Sequence, residues 1–255
     1  VPVRISKDNL LRHLRELVGG RSHAADYITR QFQELGYKVR ADEVFNIIAG
    51  NGNFIVGAHY DVVPGSPGAD DNASGVAALL EIARVVQRPR LQFIAFNLEE
   101  DGLVGSTHFV RQLKAPIAGM VSLEMLGYKS DAPHSQQLPA GLAHLYPHTA
   151  NFIGVVANER SQELLEAFVP AMKTVAGLPV ESLLVPGNGE VIEPTRFSDH
   201  SPFWDAGHAA LMITDTSWFR NPHYHQPTDT IETLDLEFLA RVTEGVARAV
   251  DTSLA

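Results

Sequence analysis

The chemistry-bearing residues of this chain are histidines and carboxylates that recur in close pairs: His59 with Asp61, Asp70 with Asp71, Glu99 with Glu100 and His223 with His225, while Glu124 stands apart. Adjacent carboxylates suppress one another's ionisation unless they face water or hold a cation. Histidine and carboxylate together are the donor chemistry of a divalent metal site, a hydrolytic zinc site among them. Cysteine is absent, so thiolate ligands, thiol catalysis and disulfides are excluded, and any metal must be held by His, Asp or Glu. Taken singly, each of these acids would ordinarily be a solvated loop residue. Taken jointly, cation binding explains the pairing better.

Such a site needs elements that bring distant residues together. The run 54–58 reads as a buried strand ending at His59, 91–96 as a second apolar strand followed by Glu99 and Glu100, and 120–123 as a third followed by Glu124. In open α/β sheets ligands bind beyond the carboxyl ends of the strands, so these groups should converge on one crevice. A small-residue helix over 73–86, directly after Asp70-Asp71, makes a strand–helix–strand crossover with its neighbours.

Before this unit, Leu10, Leu11, Leu14 and Leu17 follow Ser6 at helical spacing and stop at Gly19-Gly20; Tyr27, Ile28, Phe32 and Leu35 repeat the pattern up to Gly36. Residues 38–44 and 45–49 read as extended, with Asn51-Gly52 as a hairpin turn into the strand 54–58. After it, 104–113 and 164–175 read as helices, and 152–157, 183–185 and 209–213 as extended. Asp235 is placed as the N-cap of a last helix to Val250. This alternation predicts an α/β fold, a three-layer α/β/α sandwich around a mostly parallel mixed sheet, formed as one domain over 1–255. The irregular stretches 129–151 and 186–194 are long enough to act as covers over a site.

Composition agrees with a folded protein: 45% hydrophobic and 20% charged residues are ordinary globular values, which excludes a disordered or low-complexity chain. The formal charge of −10 argues against nucleic acid or an anionic membrane as partner and favours a cation, a metal ion or an amine. No apolar run approaches the about 20 residues of a membrane span. The first residues lack a signal-peptide core, yet the chain does not begin with Met. The compartment is therefore left open, with the cytoplasm favoured over a secreted or periplasmic location. Oligomeric state and substrate side-chain preference are not legible.

Five motifs now stand in order: Gly57-Ala-His59-Tyr-Asp61, Gly68-Ala-Asp-Asp71-Asn-Ala-Ser-Gly75, Asn97-Leu-Glu99-Glu100-Asp-Gly-Leu-Val-Gly-Ser106, Ser198-Asp-His-Ser-Pro-Phe203 and His223-Tyr-His225-Gln-Pro-Thr-Asp-Thr230. In this series the chain resembles the M28 family of zinc aminopeptidases, from about residue 20 to 245, and is most similar to its short members without accessory domains. The resemblance implies a zinc-exopeptidase-like fold and two zinc ions bridged by Asp71. It implies His59 and His225 as terminal ligands, one per metal, with Glu100 completing one metal and Glu124 the other.

Glu99 falls where the family keeps its general base, and Asp61 where an acid orients the His59 ring through its other nitrogen. Glu124 departs from the pattern, since many members have Asp there, and occupancy of the second metal is the property this touches. Tyr224 matches an oxyanion hydrogen-bond donor of some relatives, against plain ring packing; Arg196 is assigned as a substrate anchor, against an ordinary surface arginine. The implied substrates are peptides with a free N-terminus.

The other histidines carry the plainer reading. His13, His23, His108 and His208 are placed on or beside helices as surface or satisfied core residues. His200 and His223 are placed as supports, and His134, His144 and His148 as possible substrate contacts in the stretch 129–151. Two other functions compete with the peptidase. A glutaminyl-cyclase-like acyltransferase on the same fold would keep a single zinc. A peptidase-like binding module would show gaps in the ligand set, and the sequence shows none.

Overall fold

In the computed structural model, residues 3–18, 21–139 and 141–254 are described. The chain opens with α1 (Lys7–Leu17) and α2 (Arg21–Glu34), then β1 (Val39–Ala41), β2 (Ile47–Gly50) and β3 (Phe54–His59). Next come α3 (Gly75–Val85), β4 (Leu91–Phe96), α4 (Val104–Arg111) and β5 (Gly119–Glu124). The second half holds β6 (Ile153–Asn158), α5 (Gln162–Met172), β7 (Val180–Val185), α6 (Ser201–Asp205), β8 (Ala210–Thr214) and α7 (Leu236–Ser253). The predicted Asp235 cap holds, accepting the N–H groups of Glu237 and Phe238 at the start of α7, and Ser6 caps α1 by accepting the Asn9 N–H. The Gly19-Gly20 stop lies outside the described residues.

The eight strands form one mixed sheet in the order β1-β2-β4-β3-β5-β8-β6-β7. Strands β4, β3, β5 and β8 run parallel side by side, while β1, β2 and β6 pair antiparallel with their inner neighbours. All residues of β3, β4, β5, β6 and β8 are buried, as expected of strands covered on both faces. On one face α1, α2, α3, α5 and α7 pack through residues such as Leu14, Phe32, Leu80, Phe168 and Val246. On the other, Phe109 of α4 and Phe203 and Trp204 of α6 close a smaller core over Ile55, Phe96 and Met212. This is the three-layer α/β arrangement expected.

One predicted connection is corrected. Asn51-Gly52 does not close a hairpin between β2 and β3, because β4 inserts between them and pairs antiparallel with β2 and parallel with β3. The hairpin instead joins β1 to β2, with Val39 opposite Ala49. Local alternation could not tell these apart, since β2, β3 and β4 are all apolar and any two could pair.

Candidate active site

Four parallel strands end on one side of the sheet, and their carboxyl ends carry the site. His59 closes β3 and Glu124 closes β5, while Glu99 and Glu100 lie in the turn that follows β4. Asp71 sits in an irregular helical turn, Ala69–Ser74, that leads into α3. The close approach of α3 to β5 requires glycine at 75, where a Cβ would lie 2.6 Å from the Leu123 carbonyl oxygen. Asn72 locks the same junction, donating to the Leu123 carbonyl at 2.8 Å and accepting the Met125 N–H at 3.1 Å. His225 arrives from the loop after β8 with a left-handed φ of 58°. Leu98, Leu103 and Met125, flanking the other site segments, also have positive φ, a strained conformation for such residues that concentrates at functional sites.

The side chains then converge. His59 Nε2 lies 3.3 Å from Asp71 Oδ1 and 3.5 Å from Glu124 Oε2. His225 Nε2 lies 3.1 Å from Asp71 Oδ2 and 3.2 Å from Glu100 Oε2. His59, Asp71 and Glu124 thus offer one group of donor atoms within 4.8 Å of one another, and Asp71, Glu100 and His225 offer a second. The two oxygens of Asp71 face different histidines, so the donor set fits two divalent ions sharing one carboxylate. Nδ1 of His59 faces the Asp61 carbonyl oxygen at 3.2 Å and its carboxylate at 3.6 Å, which leaves Nε2 turned to the cluster. Ser198 donates to Glu124 Oε2 at 2.7 Å and so holds the longer carboxylate in place.

The electrostatics ask for positive charge. Burial would lower the pKa of His59, but Glu99, Glu124, Asp61 and Asp71 outweigh it and raise it well above the usual range. His225 is likewise raised to about 10: burial opposes the rise, and Asp71 and Glu100 impose it. Burial works against Asp71 as a carboxylate, yet His225 and His59 hold it at about 2. Without metal, two imidazolium protons thus compensate the carboxylates, and ions bound here would replace those protons. Glu99 is raised well above the carboxylate range by burial first, with Glu124, Asp199 and Asp71 adding to it against His59.

A cavity of about 420 Å³ opens onto Asp71, Glu99, Glu100 and Glu124. Tyr224 lines it, with its ring stacked on His225 at 3.7 Å between centroids and tilted against Trp218 at 5.3 Å. Burial, reinforced by Asp71 and the glutamates, raises its pKa, so the hydroxyl stays a donor. The stretch 129–151 does cover the cavity, through residues such as Gln136, Leu138, Leu142 and Tyr146. His134, His144 and His148 are not among the lining residues, and His134 and His148 pack on each other instead.

Of the second irregular stretch, 186–194, only Pro194 reaches the cavity. Arg196, assigned as a substrate anchor, is corrected: its guanidinium binds the Asp205 carboxylate at 2.8 and 3.0 Å and the Asn188 carbonyl at 2.7 Å, and it does not line the cavity. His200 bonds the Thr195 carbonyl and His223 pairs with Thr228, both as supports.

Three of the motif aspartates to which the sequence assigns no role are buried supports. Asp229 accepts the backbone N–H groups of Asp70 and Asp71 at 2.9 and 3.2 Å. Asp70, fully buried, accepts from the Gly127 N–H and the Asn221 amide. Asp199 is fully buried beneath the cluster, with its pKa pushed up to about 7 chiefly by burial. The only available signal was an acid among small polar residues in each motif. Asp61 repeats the Asp229 device, accepting the N–H groups of Glu99 and Glu100 at 3.0 and 3.2 Å.

The chain matches peptidase family M28 over residues 45–250, and it belongs to that family. It is 34% identical to the uncharacterized protein YfbL of Escherichia coli, with 94% of this chain and 85% of that protein covered. The structure of BSAP, a zinc aminopeptidase from Bacillus subtilis, is similar at 29% identity and a TM-score of 0.61; 80% of this chain is covered, which spans about half (49%) of that one. Two further structures share the fold. The LapA aminopeptidase of Legionella pneumophila has a TM-score of 0.76 at 20% identity, covering 98% of this chain and 73% of that one. The glutaminyl cyclase of Porphyromonas gingivalis has a TM-score of 0.67 at 19% identity, covering 97% and 98%. Among the described residues no helix is long and apolar enough to cross a membrane.

Proposed function

We propose that this metallo-aminopeptidase of family M28 hydrolyses the first peptide bond of substrates with a free N-terminus at a two-zinc site, with Glu99 as general base. The observation that carries this reading is the pair of donor groups sharing Asp71, one completed by His59 and Glu124 and the other by Glu100 and His225. Zinc held by these residues would supply Lewis-acid polarisation of the scissile carbonyl and a more acidic water.

Glu99 is beside this cluster without belonging to either group that shares Asp71. Its raised pKa suits it to accept a proton from the attacking water and return it to the leaving nitrogen. Tyr224, held as a donor and lining the cavity, would stabilise negative charge developing on the carbonyl oxygen. The surrounding carboxylates favour the substrate's ammonium group, and the cover formed by 129–151 limits water at the reacting bond. We take residues 1–255 to act as one domain.

The test is mass spectrometry of peptides with free, acetylated and glutaminyl N-termini, incubated with zinc-loaded and with chelated protein. Free N-termini should lose one residue at a time in the zinc-loaded sample alone, and acetylated peptides should persist. Ring closure of the glutaminyl peptide with no cleavage elsewhere would replace the reading with a cyclase, and an unchanged panel would remove it.

A further inference from the structure

The cavity extends well past the metal cluster along a single row of the sheet. Glu124 is paired with Thr214, Thr214 with Gly154, and Gly154 with Glu181, on the adjacent strands β5, β8, β6 and β7. Residues paired across strands share a face, and all four line the cavity. Three strand spacings of about 4.8 Å put Glu181 about 14 Å from Glu124. Gly154 keeps the middle of the row low, because any side chain there would project into the space between its two ends. Leu138, Leu142 and Tyr146 wall this extension from above, with Phe152, Leu183 and Met212 beside them. Tyr146 fixes the cover next to Glu181 by donating to the Ser182 carbonyl at 2.8 Å.

The charges of this space are one-sided. Its charged lining residues are Asp71, Glu99, Glu100, Glu124 and Glu181, with no Lys, Arg or His among the described residues that line it. The first four belong to the metal cluster and its base. Glu181 belongs to neither, and no hydrogen bond or ion pair to another described residue engages its carboxylate. An apolar side chain long enough to fill the extension would cover that carboxylate without pairing it, which costs free energy. A long cationic side chain would lay its methylene stem on the apolar walls and bring its charge to Glu181.

Building on the aminopeptidase reading above, we propose that Glu181 is a specificity-determining residue that selects arginine or lysine as the N-terminal residue of the substrate. Shorter apolar residues leave the far end of the row unfilled, and acidic ones are repelled by every charged group that lines the cavity.

The test compares kcat/KM for aminoacyl-4-nitroanilides of arginine, citrulline, lysine, norleucine, leucine and glutamate. Citrulline and norleucine keep the length of arginine and lysine but lack the charge, so the first comparison needs no variant. In the wild-type enzyme arginine should exceed citrulline by about tenfold or more, the scale of one charge-assisted hydrogen bond. In Glu181→Gln that ratio should collapse to within about threefold. Glu181→Lys should move the preference from arginine toward glutamate. Citrulline turned over as fast as arginine by the wild type, or a ratio unchanged in both variants, would overturn the proposal while leaving the aminopeptidase intact. Failure of every anilide with zinc-loaded enzyme would overturn the aminopeptidase reading and this inference with it.

Discussion

The Asp229 carboxylate accepts the N–H of Asp71 at 3.2 Å across 158 positions of sequence, and that of Asp70 at 2.9 Å. The Asp71 carboxylate is therefore oriented through its own backbone, from the segment that also delivers His225. Asp61 does the same for Glu99 and Glu100 from the end of β3. Each acidic pair is thus held by a third, buried acid reaching main-chain donors, which leaves the carboxylates of Asp71, Glu99 and Glu100 free for the cluster, while that of Asp70 is taken up by the Gly127 N–H and the Asn221 amide.

Asp229→Asn exchanges an acceptor oxygen for an amide donor that cannot pair with an N–H. Zinc affinity should fall by about 10- to 100-fold, the usual effect of losing support behind a ligand. Titration against a competing chelator measures it, and far-UV circular dichroism should report an unchanged fold. Undiminished affinity would mean that the turn 69–74 positions Asp71 unaided.

Glu99→Gln removes the proposed base and keeps the shape. Turnover should fall by about 100- to 10,000-fold while zinc content stays at the wild-type level. Tyr224→Phe keeps the stack on His225 and loses only the hydroxyl, so a fall in kcat of about 100-fold would identify an oxyanion donor. Wild-type kcat in that variant would reduce Tyr224 to packing.

His59 and His225 serve different donor groups. His59→Ala and His225→Ala should therefore each lower the zinc content from two ions per chain to one, read by elemental analysis after dialysis. Loss of both ions in either variant would show that the sites fill only together. Ser198→Ala, which frees Glu124 Oε2, should weaken the ion on the His59 side selectively.

The pH dependence of stability has a component outside the proposed ligand set. His13 and His200 are both held at about 4, chiefly by burial. Their neutral rings are favoured in the folded state, while the unfolded chain takes up protons below about 6.5. The stability they contribute is complete above about 6.5 and is lost as the pH falls toward 4. In chelated protein, the urea midpoint should drop less in His13→Asn than in wild type between about pH 7 and pH 4.5. Equal drops would show that His13 is not protonated differently on unfolding.

The layers and the ligand candidates were legible in the order of residue types along the chain. Strands such as 91–96 were readable because full burial demands an unbroken apolar run, and Asp235 because an N-cap is a local event. His59, Glu99, Glu100 and Glu124 were readable because polar residues placed directly after buried strands have to lie at the strand ends. That β4 separates β2 from β3 emerges in the folded chain, since pairing among equally apolar strands is settled by the whole sheet. The same holds for Arg196 binding Asp205, Asp229 reaching Asp71, and Glu181 sharing a row with Glu124. No local pattern encodes these relationships, and register across four strands is the quantity that brings Glu181 into the same cavity as the proposed metal ligands.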